Sequence, residues 1–436
     1  MQRVDVLYFV EHRDRELDTA VKVGSILQKR FGRSVRIEPI SFGTYQSAVR
    51  VQPSAVVVPF CPSEDTFPIN VFWELYGETI DYVHLGFEQL LVDLFTYSHV
   101  PRDRFSREVP YHLGWNESYA QWLTSSGVPT DRIIQMGSPQ HAFYLPDYRS
   151  LLPPREEIAA DHGLDPNKRW ALFPFNYGGA FYGPDIERSM QRKGLPPELL
   201  GAYVDFCERS FEEAMSWIIR SASTSEDILF MVRPRPLEDP MVYIERMGGQ
   251  GAVPPNVVVI KERPVRDWVV NSDVVFSSFS TTLLDAVLAG KPAYSLMPYD
   301  LPGWLVSDWT DLIPMARSFR NFESALRESD LDVFRAAREY ANERFGIDGG
   351  DPLRRVAVAV DNVLREQPAE LMRRRFPHRS GRLFVQALRE AGIERLVKFG
   401  VRADWLPNSR STYDYFDRRD AAARVAGDTA SDSMMP

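Results

Sequence analysis

The 436-residue sequence is poor in cysteine, in long apolar runs and in excess positive charge. Its 2 cysteines, Cys61 and Cys207, lie far apart and outside any Cys-X-X-Cys or Cys/His spacing, which argues against a disulfide framework and a structural zinc site. No apolar run approaches the roughly 18 residues of a transmembrane helix, and the N-terminus leads into a predicted strand instead of a signal peptide. The net charge of -9 argues against general binding to nucleic acid. We therefore expect a cytoplasmic protein whose membrane contact, if it has any, is peripheral at the inner face of the cell membrane.

Short apolar segments alternate with helix-length segments along most of the chain. The strand-like segments form two series: 4–10, 35–40 and 55–59, then 170–174, 227–232, 256–260 and 273–276. Strands that alternate with helices predict parallel, doubly wound sheets. The predicted fold class is therefore α/β, with two Rossmann-like domains.

A polar, proline-rich stretch at 146–168 separates the two series, and the pattern after Leu353 is helical. Such stretches are typical of domain boundaries. We predict one domain over 1–150, a second over 151–360 and a helical extension over 361–436. The last part of the extension, 418–436, is rich in small and polar residues and is expected to be mobile.

Two arginines follow the strand predicted to end at Val232. Arg233 and Arg235 are each followed by proline, and ligands of parallel sheets bind at the carboxyl ends of strands. The planar guanidinium group suits phosphate or carboxylate. The structural alternative is a surface loop in which these arginines pair with neighbouring acidic residues.

A hydroxyl-rich turn follows the strand at 274–276. Five of the six residues at 277–282 carry hydroxyl groups: Ser277, Ser278, Ser280, Thr281 and Thr282. Plain helix capping, the structural alternative, needs only one such residue, so the turn is predicted to hold phosphate oxygens at a helix N-terminus. Asp285 lies one turn further on and could accept hydrogen bonds from ribose hydroxyls.

The loop after the strand at 170–174 contains Asn176, Gly178 and Gly179. Glycine lets a ligand approach the backbone closely, so the loop is a candidate part of the same nucleotide site. An ordinary flexible loop is the alternative.

The loop after the first strand is charged. Glu11 and His12 stand directly at the strand end, and with Glu16 they are the candidate catalytic residues, while Arg15 is a candidate substrate ligand. Glu11 or His12 could deprotonate an acceptor hydroxyl, or a carboxylate could attack an anomeric carbon. A charged helix start is the structural alternative, since acidic residues favour a helix N-terminus.

Further on, His84 and Glu88 combine with aromatic residues and are candidate substrate ligands, whereas His112 is interpreted as a core residue.

The HExxH, GxxxxGK[ST] and GxSxG patterns are all missing, so metal hydrolase, P-loop and α/β-hydrolase functions are unsupported and no metal ligand is predicted.

Together these residues resemble the GT-B glycosyltransferases, and among them the bacterial surface carbohydrate biosynthesis proteins related to Kdo transferases and to capsule or teichoic-acid glycerophosphotransferases. The resemblance covers roughly residues 1–360 and is carried by Glu11-His12, Arg15-Glu16-Leu17, the segment 84–89, Arg233-Pro234-Arg235-Pro236 and the segment 277–285. It implies two domains that face each other across a cleft. The first domain would bind a glycan or lipid-linked glycan acceptor and supply the base or nucleophile, and the second would bind the nucleotide donor.

The resemblance implies a glycosyltransferase with a nucleotide sugar as substrate and no other cofactor. A CMP-linked ulosonic acid such as Kdo, or a nonulosonic acid, is the first donor considered, because two arginines suit its carboxylate and its monophosphate needs no metal. Three alternatives stay open: a CDP-glycerol glycerophosphotransferase, a non-catalytic binding protein of glycan assembly, and a sugar-nucleotide epimerase.

A basic cluster at 373–382 could also touch anionic lipid, although a solvated basic helix end is the favoured interpretation.

Overall fold

The computed structural model describes residues 1–90, 96, 99–192, 195–235, 238–249, 251–328, 330–365, 380–399 and 414–428. The chain forms two compact units. Unit 1 consists of Met1–Gln89, His99–Ala142 and Phe345–Pro436, and unit 2 consists of Leu90–Ser98 and Phe143–Arg344. The chain therefore returns to unit 1 at Phe345, before the boundary at 360 that the sequence indicated.

Unit 1 contains a parallel sheet of six strands within the described residues, in the order β2-β1-β3-β4-β5-β6. The strands are β1 (Gln2–Val10), β2 (Val35–Pro39), β3 (Val51–Val58), β4 (Asp81–His84), β5 (Tyr111–Gly114) and β6 (Ile133–Gln135). In β1, Tyr8 lies opposite Ile37 of β2 and Val57 of β3. Continuous apolar runs form these strands because helices cover both faces of a parallel sheet.

The first helix, α1, ends at Phe31, and its C-cap residue Gly32 adopts the left-handed conformation that glycine accepts readily. Asn116 caps the fifth helix by accepting a hydrogen bond from the Tyr119 amide. The helices are α1 (Arg13–Phe31), α2 (Ile40–Arg50), α3 (Ile69–Tyr76), α4 (Arg104–Glu108) and α5 (Glu117–Ser125).

Unit 2 contains a second parallel sheet of six strands within the described residues, in the order β12-β11-β10-β7-β8-β9. The strands are β7 (Arg169–Pro174), β8 (Ile228–Arg233), β9 (Val257–Val259), β10 (Val274–Ser277), β11 (Ala293–Leu296) and β12 (Met315–Ala316). Counted within the unit, this is the strand order 3-2-1-4-5-6 of dinucleotide-binding sheets, which reverses between β7 and β10.

The helices of unit 2 pack around a core rich in aromatic side chains, in which Phe173 stacks between Phe230 and Phe276. They are α6 (Pro146–Arg149), α7 (Arg155–His162), α8 (Pro184–Arg192), α9 (Pro197–Ala222), α10 (Pro240–Arg246), α11 (Val265–Asn271), α12 (Thr282–Leu288), α13 (Phe319–Ala325) and α14 (Arg335–Arg344). The expected pair of α/β domains is confirmed.

The C-terminal helices α15 (Pro352–Arg365), α16 (Ser380–Lys398) and α17 (Arg418–Gly427) belong to unit 1. Residues 418–427 of the predicted tail form α17, which Asp417 caps and whose Ala421 and Val425 are buried. The remainder, 429–436, lies outside the described residues, as do Arg373, Arg374, Arg375 and Arg379 of the basic cluster. Among the described helices, none is both long and apolar enough to cross a membrane.

Candidate functional site

The point where the strand order of unit 2 reverses joins two of the loops singled out in the sequence. The Asn176 amide donates a hydrogen bond to Ser278 Oγ over 3.2 Å, and Ser277 Oγ donates to the carbonyl oxygen of Pro174. Ser277 and Ser278 are both fully buried. These two hydroxyls therefore connect the loop after β7 to the turn after β10.

The remaining hydroxyls of the turn lie nearer the surface. Ser280 Oγ donates to Thr282 Oγ1 over 3.1 Å and accepts the Thr282 amide over 3.3 Å, while Thr281 is exposed. Helix α12 begins at Thr282 with Thr281 as its N-cap, and no side chain caps it at that position. Ser280, Thr281 and Thr282 are thus the part of the turn that a phosphate could reach.

Asp285 lies one turn into α12 and is hydrogen-bonded to Tyr144. Burial, followed by the charge of Asp285, raises the pKa of the Tyr144 phenol well above its usual range. Tyr144 therefore acts as a hydrogen-bond donor to the carboxylate, which fixes the Asp285 side chain. The sequence did not indicate Tyr144, which lies 141 positions earlier than Asp285 (285 − 144).

The glycine loop and Arg235 also meet. Gly178 and Gly179 begin a short 3-10 helix, Gly178–Phe181, and the guanidinium of Arg235 fills the space that a β-carbon on Gly178 would need. A β-carbon on Gly179 would lie 2.9 Å from the Tyr203 ring and 3.1 Å from Cys207. Glycine at 178 and 179 thus allows the backbone to approach the Arg235 guanidinium and α9 closely.

Arg233 has a different environment from Arg235. Its side chain is buried and donates hydrogen bonds to the carbonyl oxygens of Glu262, over 2.8 Å, and of Arg263. Arg235 is exposed, and its amide donates to Glu238 over 3.0 Å. The two arginines predicted to act together are therefore separated: Arg233 supports the loop after β9, and Arg235 lies on the glycine loop.

In unit 1, Arg15 connects the charged loop after β1 to the segment after β4. Its guanidinium lies 2.8 Å from Glu16 Oε1 and 2.5 Å from Glu88 Oε1. Glu16 is fully buried and also accepts a hydrogen bond from the Glu11 backbone amide over 2.7 Å. Its carboxylate therefore orients the charged loop from the buried side. Desolvation opposes ionisation of Glu88, but Arg15 and then His99 outweigh it and hold the pKa of this carboxyl well below its usual range.

His12 lies between two carboxylates. Its Nδ1 atom is 3.3 Å from Asp414 Oδ2, and its Nε2 atom is 3.8 Å from Glu11 Oε2. Burial alone would lower the pKa of His12, but the hydrogen bond with Asp414 and the charge of Glu11 raise it overall. Burial raises the pKa of Glu11, with His12 opposing and Glu16 reinforcing the shift. The pKa of Glu11 is therefore shifted toward neutral pH, and the pKa of His12 stays above the value that burial alone would give it.

His84, a predicted substrate ligand, forms a buried pair with the expected core residue His112. Their Nδ1 atoms are 3.0 Å apart, and His112 Nε2 is 2.8 Å from the carbonyl oxygen of Ser106. Burial lowers the pKa of His112 to about 4 and lowers that of His84 well below its usual range. His84 is only 7% exposed, whereas Glu88 lies at the surface. His84 therefore supports the segment that carries Glu88 from within the core.

Within the described residues, no group of three or more His, Cys, Asp or Glu side chains is arranged to hold a metal ion. The polar residues assembled in unit 2 are hydroxyls, amides, an arginine and one carboxylate, a set suited to phosphate and ribose groups.

No protein-family model and no curated protein sequence matches the chain. Among solved structures, it is similar to S. aureus MnaA in a co-structure with UDP (TM-score 0.52, 12% identity, 84% of this chain and 99% of that chain). It is also similar to the wall teichoic acid polymerase TagF soaked with CDPG (0.54, 12%, 83% and 89%) and to a UDP-N-acetylglucosamine 2-epimerase (0.50, 13%, 84% and 99%). At these identities the similarity shows the fold: a two-domain α/β architecture of the GT-B type.

Proposed function

We propose that the chain is a glycosyltransferase that moves a sugar from a nucleotide donor to a bacterial surface polysaccharide or lipopolysaccharide. One observation carries the proposal: the Asn176 loop and the Ser278 turn are hydrogen-bonded to each other where the strand order of unit 2 reverses. Sheets of this order bind nucleotides at that place. The similar structures named above include one with UDP and one soaked with CDPG, which supports a nucleotide-linked substrate.

The proposed donor site consists of residues on three loops of unit 2. We assign the donor phosphate to Arg235, to the backbone of the glycine loop and to the outer hydroxyls; the residues are Asn176, Gly178, Gly179, Arg235, Ser280, Thr281 and Thr282. Asp285, oriented by Tyr144, is assigned to the ribose hydroxyls. Ser277, Ser278 and Arg233 support these loops through their buried hydrogen bonds.

A CMP-linked ulosonic acid remains the first donor proposed, because Arg235 could neutralise the leaving phosphate and a monophosphate needs no metal ion for this. Since the hydrogen bonds of Arg233 go to backbone carbonyls, the sugar carboxylate loses one of its two expected partners. This favours a second candidate, transfer of glycerophosphate from CDP-glycerol. The similarity to a polymerase soaked with CDPG points the same way.

The acceptor is assigned to unit 1, where Arg15 and Glu88 offer a charged pair to sugar hydroxyls. His12 is proposed as the general base, with Glu11 beside its Nε2 atom as the alternative catalytic group. In the sugar transfer, His12 takes the proton of the acceptor hydroxyl while that oxygen bonds to the anomeric carbon. The bond from this carbon to the donor phosphate breaks, and the nucleotide leaves as a phosphate anion.

The test begins with the melting temperature of the protein in the presence of CMP, CDP, UDP and GDP. A nucleotide at 100 times its dissociation constant should stabilise the fold by about 2.7 kcal/mol. Arg235→Ala should reduce this shift strongly, whereas Arg317→Ala, a change of an exposed arginine elsewhere in unit 2, should keep it. If none of the four nucleotides stabilises the wild-type protein, the assignment of these residues to a nucleotide donor is wrong.

Turnover with CMP-Kdo and with CDP-glycerol then separates the candidate reactions. Nucleotide release that depends on an acceptor glycan supports transfer, and the productive donor identifies the class. A changed sugar nucleotide formed without any acceptor would indicate an epimerase. Stabilisation by a nucleotide with no turnover of any donor would favour the non-catalytic binding protein.

We further propose that unit 1 contacts an anionic membrane surface through α16. On one face of this helix Glu390 and Glu394 are buried beside Ala387, whereas Phe384, Val385 and Leu388 on the other face are 56%, 63% and 58% exposed. The exposed face also carries cations, namely Arg382, Arg389, Arg395 and Lys398. Apolar and basic side chains on one surface fit the interface of an anionic bilayer, which is where a lipid-linked acceptor would be found.

Sedimentation with lipid vesicles tests this contact. The wild-type protein should bind vesicles that contain phosphatidylglycerol and should not bind phosphatidylcholine vesicles. Phe384→Ser combined with Leu388→Ser should release it, while Leu331→Ser, at an exposed leucine of unit 2, should have no effect. If the double variant binds these vesicles as well as the wild-type protein does, α16 is not the membrane contact.

A further inference from the structure

Asp414 contacts the charged loop after β1, although it lies 402 positions away from His12 in the sequence. One carboxylate oxygen, Oδ2, is 3.3 Å from His12 Nδ1, and the other, Oδ1, accepts the Arg13 amide over 3.2 Å. Asp414 is only 7% exposed. Both of its oxygens are therefore directed at the start of α1, one of them at the side chain proposed as the base.

The chemistry of the two groups fixes the proton on the imidazole ring. An ionised carboxylate only accepts hydrogen bonds, so the hydrogen in this contact belongs to His12 Nδ1. A neutral imidazole with its hydrogen on Nδ1 has its lone pair on Nε2. The Nε2 atom lies on the side of Glu11, 3.8 Å from Glu11 Oε2, away from Asp414.

We propose that Asp414 is a positioning residue that holds His12 in the Nδ1–H tautomer, so that Nε2 can accept the proton of the acceptor hydroxyl. The inference rests on the proposed function of His12 as a base. When the proton moves to Nε2, the ring becomes a cation, and the carboxylate of Asp414 stabilises that charge directly. Among the described residues, the charged groups that face the ring are Glu11, Arg15 and Asp414; Arg15 opposes protonation of the ring, and the two carboxylates favour it.

The segment that carries Asp414 is held in place by other contacts. Arg418 bonds to Glu38, Glu394 and the Phe42 carbonyl, and the Tyr415 ring meets the Phe42 ring edge-on with centroids 5.5 Å apart. Further along, Arg424 pairs with Asp18, and Lys22 pairs with Asp428. Because these contacts do not involve Asp414, its replacement should leave α17 docked and the fold intact.

Asp414→Asn tests the inference, since it removes the charge and keeps the shape. The matched control is Asp417→Asn, at the helix cap three positions further on, whose carboxylate bonds the Arg419 amide and pairs with Lys398. His12→Gln identifies the His12 signals in spectra of protein labelled with ¹⁵N-histidine. We expect His12 to show the Nδ1–H tautomer in the wild type, and we expect Asp414→Asn to weaken its proton affinity roughly tenfold.

The rate provides the second readout. With the productive donor, Asp414→Asn should lower kcat roughly 10- to 100-fold with little change in KM, and should shift the ascending limb of the pH–rate profile to lower pH. Asp417→Asn should change none of these quantities. If the Nε2–H tautomer predominates in the wild type, or if the proton affinity of His12 is unchanged in Asp414→Asn, the inference is overturned. If the protein turns over none of the donors, the proposed function is wrong. The histidine spectra would still test the role of Asp414 in that case.

Discussion

The guanidinium of Arg235 occupies the space that a β-carbon on Gly178 would need. Two residues that are 57 positions apart (235 − 178) therefore form one surface, with the cation lying directly on the glycine backbone. Because the obstructing atom is at the end of a long, exposed side chain, a larger residue at 178 would move Arg235 without disturbing the core.

Gly178→Ala should therefore weaken nucleotide binding while leaving the fold stable. Displacement of a charge-assisted hydrogen bond costs about 1.5–3 kcal/mol, which is roughly a 10- to 100-fold loss of affinity. Titration calorimetry with the nucleotide that gives the largest thermal shift measures the effect. Gly183→Ala is the control, because no atom lies within 4 Å of a β-carbon built there. Unchanged affinity in Gly178→Ala would remove Arg235 from the donor site.

Arg233 and Arg235 should respond oppositely to truncation. Arg233→Ala leaves the buried carbonyls of Glu262 and Arg263 without this donor, so the free energy of unfolding should fall by about 2–4 kcal/mol. Arg235→Ala should change it by less than about 0.5 kcal/mol, because the side chain is exposed. Urea denaturation of the two variants checks this contrast. Similar losses of stability in both variants would contradict the separate roles assigned to them.

The sequence was sufficient to place the two sheets and the loops at their carboxyl ends, because apolar runs and turn residues are local signals. It was not sufficient to tell which polar residues of those loops are buried at the strand end and which lie beyond it. Arg233 and Arg235 share one motif, yet Arg233 is the last residue of the buried strand β8 and Arg235 lies beyond it. Ser277 is likewise the last residue of β10, whereas Ser280 lies past the strand end.

Residues brought in from distant parts of the chain left no signal in the sequence. Asp414 and Tyr144 act through partners that are far away in sequence, and no spacing rule connects them. Helix α16 departs from the usual pattern, because the acidic residues Glu390 and Glu394 are buried while large apolar side chains on the opposite face are exposed. Local hydrophobic periodicity could therefore not have predicted which face of α16 is buried.

The buried carboxyl of Glu390 should make stability depend on pH. Burial raises the pKa of Glu390 to about 8 from an ordinary value of 4.5, although the Gln46 amide donates to this side chain over 2.8 Å. Between these two values the folded protein keeps a proton that the unfolded chain has lost, so the contribution of Glu390 to stability should fall as the pH rises from 4.5 to 8 and then level off.

Glu390→Gln should remove this dependence, since an amide keeps the acceptor for the Gln46 amide but carries no charge. Above pH 8 the variant should be more stable than the wild type by about 1–4 kcal/mol, and below pH 4.5 the two should be nearly equal. Urea denaturation between pH 4 and pH 9 measures both curves. Glu328→Gln, at an exposed glutamate of unit 2, should leave the wild-type curve in place. Parallel curves for Glu390→Gln and the wild type would show that Glu390 is ionised in the folded protein, because a neutral carboxyl at this site requires the two curves to diverge as the pH rises.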